Sequence, residues 1–225
     1  KAGIFFAIST TQTIRNSETI GSDAFVDFLV EKGCIFLWNF HYIPIGRDAD
    51  LSLMATPEQR ARIRERFAYF RATKPLLMVD FWNDGCLTEG CIAGGRKYFH
   101  VNARGDLEPC VFCHFAYDNI KEKSLMEALN SPLFREMRSR QPFSENLFIN
   151  CPLIDHPEHG KEFALKFAKY FTHEGAEGFF TELSPAIDAY SKTYRKIAEA
   201  AWKEKIESQN SEAPKAGKKV AGQHG

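Results

Sequence analysis

Cys34, Cys86, Cys91, Cys110, Cys113 and Cys151 constrain this chain most, because four of the six fall between residues 86 and 113. Thiols packed that densely form disulfides, bind metal or react. No signal-peptide pattern opens the sequence, so metal binding or catalysis outranks a disulfide framework. Cys91 precedes a strand-like run over 97–102. Ala103-Arg104-Gly105-Asp106 then supplies turn residues, and 107–112 reads as the returning strand. A hairpin brings its open ends together. It therefore draws Cys91 toward Cys110 and Cys113. Cys151, in Asn150-Cys151-Pro152, comes after two short helices that can fold back over the hairpin. Four convergent thiolates suit zinc or an iron–sulfur cluster.

Upstream, the pattern alternates. Residues 4–8 read as a buried strand and 9–13 as the polar segment after it. Ser22 caps a helix over Asp23–Lys32 with Phe25, Phe28 and Leu29 on its inner face, and Gly33 stops it. Residues 34–43 form a second strand. Thr56-Pro57-Glu58-Gln59 is a capping box with proline at the first helical position. It opens a helix with Ile63, Phe67 and Phe70 turned inward, and 76–81 is a third strand. Strand, helix, strand, helix, strand is the order of parallel βαβ units, so the fold class is α/β. Ligand sites in such sheets lie at strand ends, which nominates 9–16 and 44–48. Three strands do not close a barrel, so a barrel-like fold would draw its other strands from upstream of residue 1.

Downstream of the hairpin, Ser124-Leu125-Met126-Glu127 is another capping box and Ser131-Pro132 starts the next helix. Residues 158–171 are predicted helical. A longer helix from Ser184 carries Ile187, Tyr190, Tyr194, Ile197 and Ala201 as a packing stripe. Residues after Ser208 are rich in Gly, Ala and Lys and read as a disordered tail. Lys+Arg and Asp+Glu balance at 29 each, giving no support to a nucleic-acid or membrane-binding surface. No apolar stretch is long enough to span a bilayer. The 225 residues include 20 Phe, which is ample core material.

Cys91, thirteen residues, Gly105, four residues and Cys110 resembles the first half of the SPASM motif. SPASM and the shorter twitch domains are auxiliary-cluster modules of radical S-adenosylmethionine enzymes. Residues 102–110 look like their hairpin, and Asp118-Asn119-Ile120 with the 124–129 segment looks like the stretch after that hairpin. The resemblance covers 83–155, and the upstream strands are similar to the last part of a radical-SAM partial barrel. It implies a tail end of that barrel over 1–82, a cluster domain over 83–157, a helical extension over 158–208 and a disordered tail over 209–225. It implies an auxiliary [4Fe–4S] cluster on Cys91, Cys110, Cys113 and Cys151, with Cys86 in reserve. For the full enzyme it implies S-adenosylmethionine, with Asn16 placed where a polar residue can meet that cofactor. It also implies an electron-donor protein as partner and a reducing, cytoplasmic setting.

This sequence departs from the family in two ways. It has no Cys-x3-Cys-x2-Cys triplet, the ligand set of the catalytic cluster, which is expected in a missing front portion. It has six cysteines where a complete SPASM motif has seven and two clusters, so the match is to a reduced, one-cluster form. The different-class alternative is a non-catalytic iron–sulfur or zinc scaffold that binds a partner. Plainer readings stand beside the site. Free cysteine is also a small buried hydrophobe, the reading given to Cys34. Cys110-Val111-Phe112-Cys113 has the spacing of a redox pair, but no helix is predicted to open after it. His100 and His114 are structural residues, or else ligands or proton donors near a cluster. Gly94-Gly95-Arg96 reads as backbone closely approaching a cluster. Arg60, Arg62, Arg64 and Arg66 read as a solvated helix face.

Overall fold

In a computed structural model, residues 3–212 are described. Strand β1 (Ala7–Gln12), β2 (Phe36–His41) and β3 (Leu77–Asp80) form a parallel sheet in the order β1-β2-β3. Between β1 and β2 lie α1 (Ser17–Ile20) and α2 (Asp23–Lys32), and α3 (Pro57–Thr73) joins β2 to β3. The caps form as the sequence implies. Ser22 accepts the amide of Phe25, Gly33 ends α2 at a φ of 82°, and Thr56 and Gln59 close a reciprocal box at the start of α3. Leu37 and Met78 pack under Ile63, Phe67 and Phe70 of α3 and Val26 and Leu29 of α2. Cys34 sits in this core, its thiol directed at the Phe36 carbonyl at 3.3 Å.

Two expectations fail in this half. The first strand lies three residues later than apolarity alone suggests, with Ile4 76% and Phe5 83% exposed. Pairing decides its position: Ala7 stands opposite Phe36 and Gln12 opposite His41. Its polar residues find partners, Thr10 donating to Asn39 Oδ1 at 3.0 Å and Gln12 Nε2 to Ser17 Oγ at 2.6 Å. On α2 the inner residues are Val26 and Leu29, while Phe28, one position off that stripe, is 51% exposed.

The rest of the chain is irregular, with short elements. After α4 (Gly85–Thr88), β4 (His100–Val101) and β5 (Leu107–Glu108) make the hairpin, shorter than expected. Pro109 brings no amide to extend it, and 110–113 closes as a turn, Cys113 N to Cys110 O at 2.9 Å. Strand β6 (Phe115–Ala116) comes next, then α5 (Leu125–Leu129) and α6 (Pro132–Ser139), each capped by the serine before it. The helix expected over 158–171 is only α7 (Pro157–Glu162) and one π-helical turn, Phe163–Phe167. Tyr170–Phe171 then forms β7, antiparallel to β6. The β6 edge takes these backbone groups, Lys169 N bonding to Ala116 O and Thr172 N to His114 O, both at 2.9 Å.

The last helix, α8 (Ser184–Glu212), runs four residues into the segment expected to be disordered, and the remainder of that segment, 213–225, lies outside the described residues. Ile187, Tyr194 and Ala198 are buried apolar side chains on its inner face. No helix among the described residues is long and apolar enough to cross a membrane. Truncating Phe67, which is fully buried, should cost about 3–5 kcal/mol in denaturant unfolding. Phe28→Ala should cost less than about 1 kcal/mol. Equal losses would contradict the face of α2 turned to the sheet.

Candidate metal centre

The hairpin, the turn at 110–113 and the loop at 150–155 meet over the sheet face opposite α2 and α3. There Cys91, Cys110, Cys113 and Cys151 line one cavity of about 210 Å³. Its other wall comes from the sheet, Trp38 and Val79, with Phe81 and Trp82 just past β3. Phe112, between two of the cysteines, ties the turn to that wall. Its ring lies 4.5 Å from Trp82, 6.0 Å from Phe40 and 6.1 Å from Phe81. The cavity is thus a nearly apolar chamber whose lining includes four thiols.

These surroundings disfavour a thiolate that has no cation beside it. Burial, reinforced by Cys151 and Cys110, pushes the Cys91 thiol far up. A hydrogen bond with Cys110, together with burial, lifts Cys113 well above its ordinary value. Burial and then the Asp155 charge raise Cys151 to about 12, with Arg60 opposing. A reactive Cys-x2-Cys pair needs a thiol whose pKa is lowered, commonly at a helix N-terminus. Here strand β6 comes directly after Cys113, so the turn does not suit that chemistry. A cation among the thiols would reverse the balance, and soft thiolates select zinc, copper or iron–sulfur clusters.

A closed zinc tetrahedron with bonds of about 2.3 Å holds its sulfurs about 3.8 Å apart. Among the described residues, the group of three ligand atoms within 4.8 Å of one another is His156, Glu158 and His159, and no three of the thiols come that close. Cys110 and Cys113 lie close enough to share a hydrogen bond, and all four thiols line the one chamber.

The other sequence candidates lie elsewhere. Cys86, on α4, lines a neighbouring cavity with Arg64, Phe148 and Lys205. Asn16 closes the loop after β1. Its Oδ1 accepts from Thr13 N at 2.7 Å and its Nδ2 donates to Thr11 O at 2.9 Å, so the loop uses both polar ends. Gly94 and Gly95 do approach something closely, but it is α6 rather than the thiol chamber. A Cβ on Gly94 would sit 2.7 Å from Met137 Sδ, and one on Gly95 3.0 Å from Phe134 Cδ1.

His100 and His114 also stand apart from the chamber. Instead His100 and His173 flank Glu108, whose side chain is 1% exposed. His100 Nε2 and His173 Nε2 lie 3.7 and 3.6 Å from its carboxylate, and His114 stacks on His173 at 4.1 Å. The loop at 44–48 borders this group, since a Cβ on Gly46 would lie 3.4 Å from His114 Nδ1.

The solvated-face reading of α3 is wrong for Arg60, which is fully buried. Its guanidinium grips Asp155 through NH1 to Oδ1 at 2.5 Å and NH2 to Oδ2 at 3.0 Å. Asp155 Oδ2 also accepts the amide of Cys151 at 2.9 Å. Arg60 lies on the same helical stripe as Ile63, Phe67 and Phe70, and that spacing was the available signal. Arg64 is also largely covered, its guanidinium 4.2 Å above the Phe148 ring, whereas Arg62 stays 64% exposed.

Residues 91–152 match the family model of SPASM, an iron–sulfur cluster-binding domain. The cysteine segment is SPASM-like. No curated protein matches the chain. Two solved structures are similar to it. Hexahistidine-tagged anSMEcpe with bound AdoMet has 14% identity and a TM-score of 0.41, covering 88% of this chain and 57% of that one. Native anSMEcpe with bound AdoMet and Cp18Cys peptide has 13% identity and a TM-score of 0.41, covering 87% and 58%. The chain therefore spans less than two thirds of either structure's length. Overlays this loose carry no inference about the site. The SPASM-like segment holds all four chamber cysteines and ends one residue past Cys151.

The histidine group gives rise to a pH effect. Burial, then His173 and His100, push His114 from 6.5 down to about 4. The unfolded chain takes up this proton first as pH falls, so stability should drop between pH 6.5 and about 4 and level off below. Denaturant unfolding of His114→Phe should show a shallower decline over that window than the parent. Parallel curves would refute the assignment.

Proposed function

We propose that the chain is the C-terminal part of a radical S-adenosylmethionine enzyme and that Cys91, Cys110, Cys113 and Cys151 hold an auxiliary [4Fe–4S] cluster. The observation that carries this is the gathering of these four thiols on one apolar chamber within a SPASM-like segment. On this reading β1, β2 and β3 are three strands of a partial barrel, and their exposed aromatic face looks toward the chamber. When bound, such a cluster supplies one-electron transfer at a potential set by charge, hydrogen bonding and exposure.

The chain's own residues define the rest. Four thiolates leave no iron position for a substrate to ligate, which favours electron passage or structural support. Trp38, Phe81, Trp82 and Phe112 keep water from the sulfurs. An electron-donor protein is the partner this role calls for. The ligands of the S-adenosylmethionine-cleaving cluster would come from a Cys-x3-Cys-x2-Cys segment outside these 225 residues.

Anaerobic loading with iron and sulfide should give a brown protein with about four irons and four sulfides per chain. Replacing Cys91, Cys110, Cys113 or Cys151 by alanine should each lower that content, and Cys86→Ser should leave it intact. A colourless protein holding one zinc would reject the proposal. Full iron in Cys113→Ala or Cys151→Ala would remove that ligand from the set.

A further inference from the structure

Cys151 stands apart from the other three chamber cysteines in sequence, well past the hairpin turn, and among the described residues no hydrogen bond ties it to the hairpin. What holds it is Asp155. The carboxylate accepts the Cys151 amide, and the backbone amides of Asp155 and His156 both return to the Cys151 carbonyl at 3.0 Å. The Asp155 carbonyl is itself gripped by α8, through Ser191 Oγ at 2.8 Å and Arg195 Nε at 2.7 Å. Behind the carboxylate lies Arg60, 0% exposed, with Nε bonded to Asn83 Oδ1 at 3.2 Å and the Tyr194 ring 3.8 Å from its guanidinium. Asn83 Nδ2 bonds Asp80 Oδ2 at 2.7 Å, and Asp80 faces His41 at 3.3 Å. A dry chain of polar groups thus runs from the ends of β2 and β3 to the backbone amide of one chamber cysteine.

We propose that Asp155, clamped by Arg60, is the positioning residue for Cys151, and that this buried charge pair sets the reduction potential of the cluster the four cysteines hold. The inference rests on the cluster assignment made above.

Two physical effects support it. Groups that orient a metal ligand from outside its first layer commonly change metal affinity by about 10- to 100-fold when lost. A full charge a few ångströms from a ligand, in a medium that screens poorly, acts on the electron that enters the cluster. The pair is neutral as a whole, so the two charges pull the potential in opposite directions. Asp155 alone disfavours reduction and Arg60 alone favours it.

The test uses the full chain loaded anaerobically, with dithionite as the one-electron reductant and the cluster followed by its visible and paramagnetic signals. Asp155→Asn keeps an acceptor for the Cys151 amide and leaves Arg60 positive, so the potential should rise. Arg60→Gln leaves Asp155 negative, so it should fall. The double variant should return close to the parent. It should also release iron to a chelator about tenfold faster, because the hydrogen bond to the Cys151 amide has lost the charge that strengthened it.

Phe67→Ala, a destabilised variant in the separate sheet core, should leave the potential unmoved and so sets the baseline for mere loss of stability. Shifts of the same sign, or none, in singles that retain iron would overturn the proposal. Where a single variant does not fold, unchanged iron release in the double variant would overturn it. A parent chain that takes up no iron would instead refute the cluster assignment.

Discussion

Arg60 and Asp155 stand 95 residues apart and share an ion pair closed to solvent on both sides. A pair of this kind contributes little net stability, because desolvating the two charges offsets their attraction, yet losing one partner costs about 3–5 kcal/mol. Its main effect is to fix position. Arg60 belongs to the helix that covers the parallel sheet, Asp155 to the loop that carries Cys151, and Tyr194 and Arg195 of α8 close over both. No strand pairing joins these parts among the described residues: the parallel sheet and the two small antiparallel sheets are separate. The bidentate geometry permits one arrangement of α3, the cysteine loop and α8, and the chamber inherits it.

The elements legible from sequence were those with local signals. Ser22, Thr56, Ser124 and Ser131 all act as caps where the residue pattern places them, since a cap depends on three or four neighbouring residues. Elements set by distant partners were misplaced. Strand β1 follows the register of β2 into polar residues, and 163–171 leaves its helix to pair with β6. Nothing within either segment announces the partner that claims its backbone.

The site divides the same way. Convergence of Cys91 with Cys110 and Cys113 follows from a hairpin, a local device, and so it could be read. Cys151 enters the chamber by a route the sequence leaves open. The residues that hold it, Arg60 and Asp155, carry charges that composition assigns to the surface. The glycines at 94 and 95 mark a close approach, but sequence does not say to what, and the neighbour is Met137 and Phe134 of α6. Likewise His100 faces the buried Glu108, a residue with no outward mark of burial beyond its place in a two-residue strand.

Burial and mutual proximity raise the Cys91, Cys113 and Cys151 thiols at the same place where Asp155 adds a further negative charge. A chamber built only for packing would exclude that carboxylate, since an apolar residue at 155 would avoid desolvating both it and Arg60. Keeping the pair makes sense if the loop must stay in place when its cysteine is charged. A backbone amide tied to a fixed carboxylate does not move as a nearby thiol becomes a thiolate. The neutral pair also adds no net charge for the four sulfurs to repel. On the proposed reading, the apolar wall, the carboxylate anchor and its arginine together form a pocket prepared to receive a cation-rich group at four thiolates.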